Sequence, residues 1–291
     1  MTKNETQIFW GGALILLIAV LLGIEATLPE QSLNLEADPQ LFSGERALQY
    51  ARELFKEEVP HYCGSPANRI VRDRIVRKFQ DWGIQVKTEM TFGHIFFNRF
   101  AYAENIIATL PGSEGEESIL LVAHYDSVRA SMNSKCDGSG VALLLELART
   151  LKQHPRTRRS IIFFFADSEE VGLQGSNGFI KDNPELVNKI SAVISIDNMK
   201  PNRITTLMAR GKSSSFIEKA YLNIPGKSFY SSVTPSYTMS MDPKNFGDYG
   251  SFSDAGIDGI HIGGARGPEY HTPLENLSIL EPNHLQNLGT K

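Results

Sequence analysis

Two histidines and three carboxylates, His124, Asp137, Glu170, Asp197 and His271, are spread over about half of the chain. Imidazole and carboxylate are the donor types that hold zinc, and five of them suffice for a pair of ions. Glu169 stands beside one of the five. A carboxylate next to a metal, yet not bound to it, is the general base that hydrolysis of an amide needs. The set therefore points to metal-assisted hydrolysis, provided that the fold gathers it.

The elements around these residues give that gathering a plausible route. Asn105–Leu110, Ser118–Ala123, Ser160–Ala166 and Lys189–Ile196 are short apolar runs rich in β-branched and aromatic residues, as expected of strands buried on both faces. Ser43–Glu57, Asn68–Trp82 and Ser139–Gln153 have apolar residues at helical spacing; Gly83 ends the second, and Ser139 is placed to cap the third. Strands alternating with helices predict an α/β fold: one globular domain with a mostly parallel central sheet and helices on both faces, a three-layer αβα arrangement. His124 and Asp126 follow the strand ending at Ala123, Glu169 and Glu170 follow the strand ending at Ala166, and Asp197 follows Ile196. All three groups fall at strand C-terminal ends, the edge at which open parallel sheets build their sites.

Composition narrows the alternatives. With 291 residues, 41% hydrophobic and 21% charged, the chain has enough apolar material for one large core, and it shows no internal repeat. A net charge of -4 provides no basic field for nucleic acid, which is excluded as a partner. Residues 1–7 form a short tail, and Ile8–Ile24 carries no charge. As a helix this segment is roughly 25 Å long, slightly short of a hydrocarbon core of about 30 Å, and it reads as a membrane anchor. A cleaved signal peptide is the alternative, but its best cleavage site, Ile24-Glu25-Ala26, is poor. Residues 25–43, with Pro29 and Pro39, read as a polar linker, and the folded domain spans 44–291.

Taken singly, each candidate has a plain structural reading. His124 and Asp126 could form a loop hydrogen bond, Glu169 and Glu170 could be a solvated pair, Asp137 could sit at a helix start where the macrodipole favours a carboxylate, and His271 could be a turn histidine. Their co-occurrence at one sheet edge favours function.

The same stretches carry a family resemblance. AHYDSV (123–128), DGSGVALLLELAR (137–149), FADSEEVGLQGS (165–176), SIDNM (195–199) and EYHTPLENL (269–277) together resemble the co-catalytic dizinc aminopeptidases, the family of bacterial leucyl aminopeptidases and aminopeptidase Y. GSPANRIVRD (64–73) and FSDAGIDGIHI (252–262) are similar too, with less chemistry in them. The resemblance implies two zinc ions per chain and peptide substrates. His124, Asp137 and Asp197 would hold one ion, and Asp137, Glu170 and His271 the other, so that Asp137 bridges. Asp126 would accept the second ring N–H of His124. Glu169 would act as general base for a metal-bridging hydroxide, and Tyr270 would stabilise the oxyanion. The domain would then work outside the cytoplasm, in a periplasmic or extracellular setting, held by residues 8–24 or secreted after cleavage.

Two residues depart from that pattern, and two other readings compete with it. Cys136 stands where Asp or Asn is more usual, and is read here as structural; Tyr249 stands where His is common, which leaves the role of Asp248 open. The glutaminyl cyclases share HYDS and the acidic pair and use one zinc, although EEVGLQGS lacks their usual insertion. A catalytically inactive membrane binding module is the third reading, and the intact donor set speaks against it. Cys63 and Cys136 permit one disulfide at most. His61, His94, His154 and His284 read as surface or loop residues, and His261 as a strand residue.

Overall fold

The computed structural model describes residues 2–27, 31–95, 99–132, 136–198, 206–210, 219–220, 223, 247–264 and 268–290. Pro29 of the linker, Met199 of the SIDNM stretch and the side chain of His94 lie outside that description.

Helix α1 (Lys3–Thr27) is longer than the uncharged segment within it, and its large apolar side chains from Ile8 to Ile24 are exposed. Its stretch Thr6–Glu25 is long and apolar enough to cross a membrane, and none of it is buried against the domain.

Two capped helices open the domain. In α2 (Gly44–Leu54) the Ser43 side chain accepts the Arg46 N–H; in α3 (Pro66–Asp81) Ser65 accepts the Asn68 N–H, with Pro66 at the tolerated first position. The strands are β1 (Gln85–Ile95), β2 (Arg99–Leu110), β3 (Ser118–His124), β4 (Ser160–Ala166), β5 (Ile190–Asn198), β6 (Thr206–Arg210) and β7 (Gly259–Gly264). Between and after them come α4 (Gly138–Lys152), α5 (Gln174–Asp182), α6 (Pro184–Val187), α7 (Gly247–Asp254) and α8 (Pro282–Gly289).

One sheet holds all seven strands in the order β1-β2-β4-β3-β5-β7-β6. Its centre, β4-β3-β5-β7, is parallel, as strands alternating with helices require. The flanks β1-β2 and β6 pair antiparallel; the apolar run Asn105–Leu110 marks the part of β2 that pairs with β4, while the edge strands β1 and β6 carry no such run.

Side chains alternate between the two faces with the period of a strand. Leu121, Ala123, Phe163 and Phe165 pack beneath α2, α3, α4 and α8, while Leu120, Val122, Ile162 and Phe164 pack against Phe179 of α5 and Phe252 of α7. The layers are helix, sheet, helix. Glu146 of α4, fully buried, accepts the Ser43 N–H and pairs with Arg46 at 2.8 Å and Arg149 at 2.7 Å, tying α2 to α4. A charge that deep is tolerated because three donors satisfy it.

Candidate metal centre

Parallel pairing brings the C-terminal ends of β3, β4 and β5 to one edge. His124 is the last residue of β3, 2% exposed; Asp197 is the last but one of β5, 5% exposed; Glu169 and Glu170 follow β4. Ser168, in the left-handed region at φ 62°, turns the chain sharply out of β4 just before the acidic pair. Such a conformation in a side-chain-bearing residue costs of order 1 kcal/mol and marks sites where the surroundings impose it.

Asp126 secures that turn. Its Oδ1 accepts the Glu169 N–H at 2.9 Å and its Oδ2 the Glu170 N–H at 3.2 Å. The contact to His124 differs from the one expected: Nδ1 is nearest the main-chain oxygen of Asp126, at 3.1 Å, with the carboxylate Oδ1 at 3.4 Å. One residue thus orients the imidazole through its carbonyl and the acidic pair through its carboxylate.

His271 reaches the same place from the loop before α8. It too lies in the left-handed region, at φ 58°, and its N–H donates to Glu275 Oε2 at 2.9 Å. Its Nε2 is buried and lies 2.8 Å from Glu170 Oε1 without hydrogen-bond geometry, so the two side chains aim their polar atoms at one place. The Tyr270 ring stacks on the His271 ring with centroids 3.6 Å apart.

Asp137 departs from the expected set. It, and not Ser139, caps α4: its Oδ1 accepts the Gly140 N–H at 3.0 Å, and its Oδ2 the His124 N–H at 3.3 Å. Gly140 must lack a side chain here, because a Cβ would run into the Asp137 carboxylate. A helix N-terminus attracts a carboxylate, and that attraction holds Asp137 at the start of α4. The neighbouring residue faces it instead. Cys136 Sγ lies 3.4 Å from Asp197 Oδ1 and 3.9 Å from His124 Nε2. Among the described residues the donor atoms that could hold a cation form three groups, each within 4.8 Å: His124, Cys136 and Asp197; Cys136, Glu170 and His271; His124, Glu169 and Glu170. Asp137 is in none of them, and both cysteines are free thiols.

The electrostatics fit a cation as well. Burial pushes the Glu169 carboxyl well above the carboxylate range; His124 draws it down, while Asp248, Glu170 and Asp197 reinforce the rise. For His124, burial pulls the imidazole down, but Glu169, Asp126 and Cys136 outweigh it and hold the ring well above its usual value. Without metal, protons must neutralise this cluster, and a cation held there would take their place.

Two residues with no periodic signal of their own complete the site. Glu275, 1% exposed, accepts the His271 N–H, the Cys136 N–H at 2.9 Å and the Ser131 hydroxyl at 3.0 Å. Asp248 at the start of α7 is buried and accepts the Ser176 hydroxyl. Two histidines read as surface residues are instead buried: His61 stacks on Phe55 with centroids 5.0 Å apart, and His284 lies inside α8. His154 is exposed, and His261 sits in β7 beside Ser195.

Residues 105–290 match the model of peptidase family M28. The chain belongs to peptidase family M28. Among similar members, the vacuolar membrane protease of Candida albicans (strain WO-1) is 28% identical over 244 residues, which cover 79% of this chain but only 27% of that protein. Aminopeptidase YwaD of Bacillus subtilis (strain 168) is 31% identical over 186 residues, 59% of this chain and 38% of its own. This M28 chain thus spans well under half the length of these curated relatives. In fold it is similar to a leucine aminopeptidase precursor from Bacteroides thetaiotaomicron, with TM-score 0.69, 19% identity and 86% and 94% of the two chains covered. An Acidobacteriales bacterium glutaminyl cyclase gives TM-score 0.66 at 19% identity over 89% and 95%. The M28 fold by itself therefore leaves the reaction open.

Proposed function

We propose that this M28 chain is a zinc-dependent aminopeptidase, a hydrolase that removes N-terminal residues from peptides, held at a membrane by α1. The observation that carries the reading is the pair of donor groups on either side of Cys136, His124 with Asp197 and Glu170 with His271, next to the Glu169 carboxylate. His124 and Asp197 would hold one zinc, Glu170 and His271 the other. Zinc bound there would polarise the scissile carbonyl and lower the pKa of a water molecule. Glu169, 3.9 Å from His124 Nε2 and 15% exposed, takes the water proton and returns it to the leaving amine. Tyr270, fixed against the His271 ring, donates its hydroxyl to the carbonyl oxygen as charge develops. Asp126 and Glu275 hold these groups in register through main-chain N–H donors. The vacuolar membrane and endoplasmic reticulum relatives support a membrane setting; the domain would work on the side away from the cytoplasm.

The fold likeness to glutaminyl cyclases favours a second reading, a single-zinc cyclisation of N-terminal glutamine. That reaction needs one donor group, whereas two of the three groups here, joined at Cys136, offer separate donor pairs. Full-length protein in detergent, supplied with zinc, is to be assayed with aminoacyl chromogenic amides and with N-terminal glutaminyl peptides. Amide hydrolysis is the expected result; cyclisation without hydrolysis overturns it.

A further inference from the structure

We infer that the donor shared by the two metals is the Cys136 thiolate, in the place where the sequence pattern suggested a carboxylate. The inference rests on the proposed function only in requiring that metal binds; it concerns which atom binds it.

Cys136 is common to two donor groups of different composition, His124 with Asp197 and Glu170 with His271. A single atom within 4.8 Å of both pairs stands where a bridging ligand must stand. Its distances suit coordination. With Zn–S about 2.3 Å and Zn–N or Zn–O about 2.0 Å, two donors on one tetrahedral zinc lie roughly 3.5 Å apart. Sγ is 3.4 Å from Asp197 Oδ1 and 3.9 Å from His124 Nε2.

The main chain holds the sulfur there from both sides. Glu275 Oε1 accepts the Cys136 N–H, and the next residue, Asp137, is committed to the α4 N-terminus through the Gly140 and His124 N–H groups. Asp137 cannot swing toward the metals without uncapping α4. Charge is conserved, since Cys136, Glu170 and Asp197 bring -3 against +4, the same total as with a carboxylate in the shared position. Coordination displaces the S–H proton to solvent, and nothing is oxidised or reduced. A buried cysteine with only a packing role belongs among apolar side chains. This one, 2% exposed, faces imidazoles and carboxylates.

Cobalt(II) distinguishes sulfur from oxygen, because a thiolate ligand gives an intense near-ultraviolet charge-transfer band that carboxylates do not. Full-length protein in detergent, freed of metal by chelation, is titrated with cobalt(II) while absorbance and bound metal are followed. The wild type should bind two cobalt ions and develop the band. The band should persist in Cys63→Ser, vanish in Cys136→Ser, and be absent from Cys136→Asp although that variant still binds two ions. Two bound ions without the band, or a band unchanged in Cys136→Ser, overturns the inference and leaves the peptidase reading intact. Failure to bind cobalt at all overturns both.

Discussion

The main-chain N–H of Cys136 donates to Glu275 Oε1 at 2.9 Å, while the other oxygen of the same carboxylate receives the N–H of His271. Glu275 therefore ties the segment before α4 to the loop before α8, two parts of the chain whose donors must meet. Burial holds its carboxyl above the usual carboxylate range, and the His271, Ser131 and Cys136 donors offset only part of that rise. A glutamine there supplies one acceptor oxygen for a clasp that uses two. Glu275→Gln should weaken metal binding about 10- to 100-fold with the fold retained, measured by competition against a chelator. Unchanged affinity would show that the clasp does not position the donors.

Glu169→Gln removes the proton acceptor and keeps the volume. The turnover number for aminoacyl amides should fall about 10²- to 10⁴-fold while the metal content of the purified protein stays at the wild-type level. Full activity in this variant would exclude Glu169 as the base.

Gly140→Ala places a methyl group against the Asp137 carboxylate. Displacing that carboxylate uncaps α4 and crowds the turn, for a loss of about 1–3 kcal/mol. Urea unfolding of metal-free protein reads this directly, and a midpoint equal to wild type would contradict the packing described for Asp137.

His61 gives the folded protein an acid weakness. Burial lowers its imidazole from 6.5 to about 4, with the Val59 carbonyl and Asp126 acting the other way. Above pH 6.5 neither state carries the proton and His61 contributes nothing. As pH falls toward 4 the unfolded chain binds a proton that the folded one refuses, and stability falls, by up to about 3 kcal/mol once pH is below 4. Asp167 works in the opposite sense. Burial beside Asp126 raises it to about 7, so the folded state keeps its proton and gains stability as pH drops below that value. Comparing wild type with His61→Leu, both stripped of metal, isolates the histidine: between pH 7 and pH 5 the wild type should lose about 2 kcal/mol more. Equal losses would mean that His61 is protonated in place.

Fold class and the location of the site could be read from the chain because both rest on local patterns. Continuous apolar runs such as SIIFFFA mark strands covered on both faces, and helices between them force parallel pairing, which puts His124, Glu169, Glu170 and Asp197 at one edge. The edge strands β1 and β6 left no comparable pattern. Local sequence did not tell which of two adjacent residues would face the donor cluster, because Cys136 and Asp137 differ in direction only through what each is held by. Asp137 is drawn to the α4 N-terminus and the His124 N–H, and Cys136 is turned inward by Glu275, a residue far along the chain. Nor could burial of His61 be read from its neighbours in sequence, since Phe55 and α3 are brought to it by packing. The amino-acid sequence alone determined which donor types the chain carries and at which sheet edge they gather. The tertiary structure decided which atoms meet there, because side-chain direction depends on hydrogen bonds between segments that only the folded chain brings together.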